Sequence, residues 1–247
     1  MKGSITIGEL IGASEAPFVV ADRGPVRFIV MNQPATRNAL TRQMRRDFSQ
    51  ILMEADASED IAVVILTGAP PVFSAGVDLK ERALAGPAPQ IRPNPGEALR
   101  AAKKPVIAAV NGACATGALE MALSCSFVIA SDEARFADTH VKVGLMPRWG
   151  QLSLLSRAVG VRRARQMIAT GEFIDAHTAV CWGIASERVP VERLLDRSLE
   201  LAERIAAGDA RVLGLCLSAL ASGEVAASAE LEEAEQAALG VYDSGRN

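Results

Sequence analysis

Two continuous apolar runs, Ile61–Thr67 (IAVVILT) and Pro105–Val110 (PVIAAV), constrain the fold of this chain more than any other feature. A strand with one wet face alternates apolar and polar residues, whereas an unbroken apolar run needs cover on both faces. Each run is followed by a loop of small residues and then by a helical stretch, giving strand–turn–helix units near Ile61–Lys80 and Pro105–Ser124. Units of that kind in series favour parallel crossovers and an α/β class.

The rest of the chain fits around them. Phe18–Ala21 and Val26–Met31 read as strands joined by a turn at Asp22-Arg23-Gly24-Pro25, and residues 1–16 as an extension of weak periodicity. Leu40, Met44, Phe48, Ile51 and Leu52 recur at helical spacing behind Thr41, a plausible cap. Residues 86–96, rich in Pro and Gly, predict a surface loop within one domain, and Ser126–Ala130 a further strand. From Trp149 onward the reading is mostly helical, with Gly160 ending one helix, Asp175 capping another, and Pro190-Val191 opening an amphipathic one to about Ala207. The last forty residues read as helical before a polar tail, YDSGRN.

Composition excludes several classes. Of 247 residues 49% are hydrophobic and 4% aromatic, so Ala, Val, Leu and Ile must fill a sizeable core. A net charge of -3 argues against a general nucleic-acid binder. Cys114, Cys125, Cys181 and Cys216 show no C-x-x-C spacing and histidines number two, so no structural zinc site is expected. Reduced thiols of a cytoplasmic protein are expected instead. No signal peptide and no membrane span are predicted.

The chemistry lies in the two loops, Phe73-Ser74-Ala75-Gly76-Val77-Asp78-Leu79-Lys80 and Asn111-Gly112-Ala113-Cys114-Ala115-Thr116-Gly117-Ala118-Leu119-Glu120. Helix starts leave backbone N–H groups unpaired, with the positive end of the helix dipole behind them. Two such loops side by side can aim two N–H groups at one oxygen, as in an oxyanion hole. Taken singly, each could be an ordinary structural turn. The glycine spacing matches neither phosphate-binding nor dinucleotide-binding loops, and no nucleophile elbow is present.

FSAGVDLKE followed by PVIAAVNGACATGALEMALSC resembles the paired signature segments of the crotonase (enoyl-CoA hydratase/isomerase) superfamily. MNQPATRNALT, ARFADTHVKVGLMP and the stretch from Ala179 through Trp182-Gly183-Ile184 to Val189-Pro190 resemble flanking segments in the same order. The resemblance implies a spiral of ββα turns over residues 17–190, two roughly perpendicular sheets, and a helical region, 191–247, used in trimers that often pair into hexamers. It carries the oxyanion donors to the N–H groups of Val77 and Gly117. It sets Arg37 and Lys80 near the coenzyme A phosphates, with Ala39, Ala75, Asp78 and Leu79 along the coenzyme's path. Either basic residue could equally be a solvated surface chain.

The family's two acid/base positions map onto Glu120 and His140, the second a departure from the usual glutamate. A Glu among apolar residues must face a cleft or carry a burial cost, and His is a competent acid or base near neutral pH. His140 could instead be structural. Trp149 could narrow the acyl site or pack in the core. Ala118 replaces a common glycine, and the usual family ending is missing from the C-terminus. The implied activity is hydration of a trans-2-enoyl-CoA in fatty acid metabolism, with no metal or redox cofactor and coenzyme A entering as part of the substrate. Isomerisation or another acyl-CoA reaction is the runner-up, followed by a catalytically weak acyl-CoA-binding protein and, last, a serine peptidase.

Overall fold

Along β3 (Val63–Gly68) successive side chains go to different cores: Val63 and Ile65 to one, Val64 and Leu66 to the other. β5 (Val106–Val110) does the same, with Ile107 and Ala109 on one face and Val106, Ala108 and Val110 on the other. This is the period-two geometry of a strand buried on both faces. The computed structural model describes residues 4–85 and 90–220.

β3 and β5 are central in a six-stranded sheet. Its other members are β1 (Phe18–Arg23), β2 (Val26–Met31), β7 (Phe127–Ser131) and β10 (Glu187–Val189), in the order β1-β2-β3-β5-β7-β10. Only the β1–β2 pairing is antiparallel. A second sheet has four strands of two or three residues: β4 (Val72–Ser74), β6 (Ala113–Ala115), β8 (Arg135–Ala137) and β9 (Ile174–Asp175). Each of the three ββ pairs β3–β4, β5–β6 and β7–β8 gives its first strand to the large sheet and its second to the small one.

The helices are α1 (Ile7–Ile11), α2 (Arg42–Ala57), α3 (Leu79–Ala85), α4 (Pro95–Ala101), α5 (Gly117–Ser124), α6 (Gln151–Val159), α7 (Val161–Thr170), α8 (Ala176–Trp182) and α9 (Leu194–Ala206). Met44, Phe48 and Leu52 of α2, Leu119 of α5 and Leu155 of α6 bury one face of the large sheet. Leu194, Leu195 and Ala202 of α9, with Leu10 of α1, bury the other. α9 therefore covers the sheet of its own chain, although it lies in the stretch read from sequence as a separate helical region. A further helix occupies 210–220. The polar tail and the rest of that region lie outside the described residues, as do 86–89 of the Pro-rich loop.

Two helices, β10 and all four strands of the small sheet go beyond the sequence reading. α1 begins at a capping box: Thr6 accepts from Glu9 N–H while the Glu9 carboxylate accepts from Thr6 N–H. α4 starts inside the Pro-rich segment, where Asn94 and Glu97 form a second box and Pro95 takes the first helical position, which needs no N–H donor. β9 and β10 lie in the part read as helical.

Asn38 ties the early segment to the first loop. It is fully buried and left-handed (φ 52°). Its Nδ2 lies 2.8–3.1 Å from the carbonyls of Ala69, Val72 and Phe73, and its Oδ1 accepts from Gln33 N–H. Asn38→Ala strands several buried backbone groups at once. Urea titration should show a loss of about 2–4 kcal/mol of unfolding free energy; a change below about 0.5 kcal/mol contradicts this reading.

Candidate active site

The parallel strands β4, β6 and β8 lie side by side and end at one edge of the small sheet. Each is followed by a residue of interest: Val77 after β4, Gly117 after β6, and His140 after β8. Glu120 sits three residues into α5, on the same side as Gly117. Sequence positions far apart are thus gathered by topology alone.

Val77 is held in a parallel bridge with Leu40: Leu40 donates to Gly76 O at 2.7 Å and accepts from Asp78 N–H at 3.1 Å. In such a bridge the partner residue's own N–H and C=O point the other way. Val77 N–H therefore faces away from residues 37–40, toward the second loop. The two loops touch there. A Cβ on Gly76 would lie 2.9 Å from Gly117 N and 2.1 Å from Thr116 Oγ1. Thr116 Oγ1 lies 2.9 Å from Ala75 O and 2.7 Å from Ala115 O, joining the loops. Thr116 has φ 52°, a conformation unusual for a β-branched residue, and it turns the chain into α5 so that Gly117 N–H opens the helix. Among the described residues neither the Val77 nor the Gly117 N–H finds a backbone acceptor. Two unpaired donors at the junction of two loops can hold one oxygen that gains negative charge.

Beside them lies a buried row of ionisable groups. Glu120 is 2% exposed, His140 6% and Asp138 1%. Glu120 Oε1 accepts from Trp149 N–H at 2.6 Å and Gln151 N–H at 3.2 Å. Its Oε2 lies 3.6 Å from His140 Nε2, longer than a hydrogen bond. On the far side of the ring, Nδ1 is 2.7 Å from Asp138 Oδ1, which also accepts from His140 N–H at 3.1 Å. The imidazole is thus set between two carboxylates, an arrangement unlike the serine–histidine pair a peptidase would need. Burial pushes the Cys114 and Cys125 thiols up, so neither offers a thiolate near neutral pH.

Arg37, Ala75, Leu79 and Lys80 are exposed around the loop, and Ala39 is half-buried. Asp78 plays a structural part, because its Oδ1 accepts from Lys80 and Glu81 N–H and caps α3. The Trp149 ring packs on Gly117, where an added Cβ would lie 2.8 Å from Cζ3. It is 7% exposed and belongs to the main core. The tryptophan therefore packs in the core, and its ring lies against Gly117.

A family model described as enoyl-CoA hydratase/isomerase matches residues 22–242. The chain belongs to that family. Its relatives include 2,3-dehydroadipyl-CoA hydratase of Escherichia coli, 35% identical over 88% of this chain and 87% of that protein. Among solved structures, enoyl-CoA hydratase of Mycobacterium tuberculosis superposes with a TM-score of 0.86 at 39% identity, covering 93% of this chain and 97% of that one. A monofunctional enoyl CoA isomerase from M. smegmatis superposes at 0.73 and 33% identity, covering 87% and 96%. The crotonase-type α/β fold expected from the signature segments is therefore the fold of this chain, with α9 and the 210–220 helix beginning its helical C-terminal region.

Three residues of the site do not stand out in the sequence: Asp138, Thr116 and Gly76. The Asp-x-His spacing is a signal for the first, since an aspartate two residues before a histidine can accept from both its backbone and its ring. Nothing in the sequence marks Thr116 as left-handed.

Proposed function

We propose that this protein adds water reversibly to a trans-2-enoyl-CoA. The Val77 and Gly117 N–H groups take the thioester oxygen as it becomes an enolate. Glu120 orients and deprotonates the water that adds at the β carbon. His140, through Nε2, delivers the proton to the α carbon. Arg37 and Lys80 meet the phosphates of coenzyme A, with Ala39, Ala75, Asp78 and Leu79 along its path. Coenzyme A enters with the substrate, and each of these steps uses groups the chain supplies.

The observation that carries the proposal is the junction of the loops at Gly76, with an acid/base pair 3.6 Å apart beside it. Hydration needs an oxyanion site together with two proton-handling groups, and the candidates for both lie near one edge of the small sheet. A trimer or hexamer is part of the same proposal, supported by Val212, Leu215 and Leu220 of the 210–220 helix, each more than half exposed on the single chain. So is a cytoplasmic location, which the four free cysteines favour. No helix of the described residues is long and apolar enough to cross a membrane.

The test is product identity. Incubated with a trans-2-enoyl-CoA, the protein should convert it to a 3-hydroxyacyl-CoA, heavier by one water. Conversion of a trans-3-enoyl-CoA to the trans-2 isomer, with no such gain in mass from either substrate, would replace hydration by isomerisation.

A further inference from the structure

We infer that Asp138 is a positioning residue that keeps a proton on His140 Nδ1, so that Nε2 is the nitrogen that gains and loses protons. Its kinetic consequence rests on the proposed hydration; the tautomer does not. A neutral imidazole has one donor and one acceptor nitrogen, and its neighbours decide which is which. Nδ1 lies 2.7 Å from Asp138 Oδ1, within the range of a charge-assisted hydrogen bond. The same oxygen accepts the backbone N–H of His140. A bare Nδ1 lone pair at that distance from a carboxylate oxygen would be repulsive.

The second oxygen of Asp138, Oδ2, is buried and has no hydrogen-bond partner among the described residues. A carboxylate held this way has its donors on one oxygen only, and one of them is the imidazole. That single oxygen fixes both the backbone N–H and the ring of His140. With Nδ1–H anchored, Nε2 faces Glu120 Oε2 at 3.6 Å. In the neutral state Nε2 accepts a proton, and in the charged state it donates one, while Nδ1–H never leaves Asp138.

The chain has two histidines, and His177 is exposed on α8, away from the row. His177→Gln therefore leaves His140 as the single imidazole for ¹⁵N NMR of histidine-labelled protein. The expected spectrum of the neutral ring shows Nδ1 protonated and Nε2 bare. A neutral ring protonated at Nε2 and bare at Nδ1 overturns the inference whether or not the protein hydrates anything. Asp138→Ala should release the tautomer and lower kcat for enoyl-CoA hydration about 10- to 100-fold, with KM changed less than about twofold. An unchanged kcat in a variant that folds also overturns it. Absence of turnover in the wild type would remove the proposed hydration and leave the NMR result to decide the tautomer.

Discussion

Glu120→Gln lowers hydration of a trans-2-enoyl-CoA by about 100- to 10,000-fold, the range of a positioned acid or base, and leaves the fold intact. The reason lies in how the two carboxylate oxygens are used. Oε1 accepts from Trp149 and Gln151 N–H, and a glutamine carbonyl can accept from both. The first turn of α5 and the start of α6 thus stay joined. Oε2 faces His140 Nε2, and there the variant offers an amide NH₂ that cannot take a proton from water. Thioester binding, which the proposal assigns to the loops and not to this carboxylate, should change less than about threefold. Rates come from loss of the conjugated-enoyl absorbance and binding from calorimetry with a saturated acyl-CoA. A variant that turns over at the wild-type rate removes Glu120 from the chemistry.

Gly76→Ala should cost at least about 100-fold in kcat, the loss expected when one oxyanion donor is misplaced. An added Cβ would stand 2.1 Å from Thr116 Oγ1 and 2.9 Å from Ala115 O and Gly117 N. The hydroxyl can rotate away, but the backbone atoms cannot, so the loops must separate. Gly76 also has φ 84°, where an L side chain is strained by about 1–2 kcal/mol. Gly24→Ala separates the two effects: φ is 56° there, and nothing lies within 4 Å of the added Cβ. Gly24→Ala should lose about the same stability from strain with turnover unchanged. Gly76→Ala should lose turnover in excess of stability. Equal, small effects at both positions would mean that the junction of the loops does not hold the reacting oxygen.

The loops and Glu120 were legible in the sequence because their requirements are local. A strand buried on both faces, a run of small residues and a helix start leave few arrangements for the backbone N–H groups. A glutamate inside LEMALS must face a cleft or carry a burial cost. The large sheet apart from β10 was readable for the same reason, its centre through the unbroken apolar runs that became β3 and β5. The small sheet was not. Ala113–Ala115 and Arg135–Ala137 are too short to show a period, and they are strands only because β4, β6 and β8 pair with one another. The site stands on that sheet, so its assembly could come only from the family resemblance or from the structure. α4 was hidden by the prolines and glycine around it, although Asn94, Pro95 and Glu97 together are a helix-start signature. The contact of Trp149 with Gly117 joins residues on α5 and the loop before α6, and no local pattern encodes it.

In the proposed reaction Val77 and Gly117 hold an enolate oxygen while His140 moves the α proton. Exchange of the α hydrogen of butyryl-CoA in D₂O, followed by proton NMR, tests it without any water addition. The group that protonates the α carbon in hydration must remove the same hydrogen in reverse. Enzyme-dependent exchange of one α hydrogen is expected, suppressed in Gly76→Ala and in His140→Ala. No exchange by wild-type protein that binds butyryl-CoA saturably would contradict it.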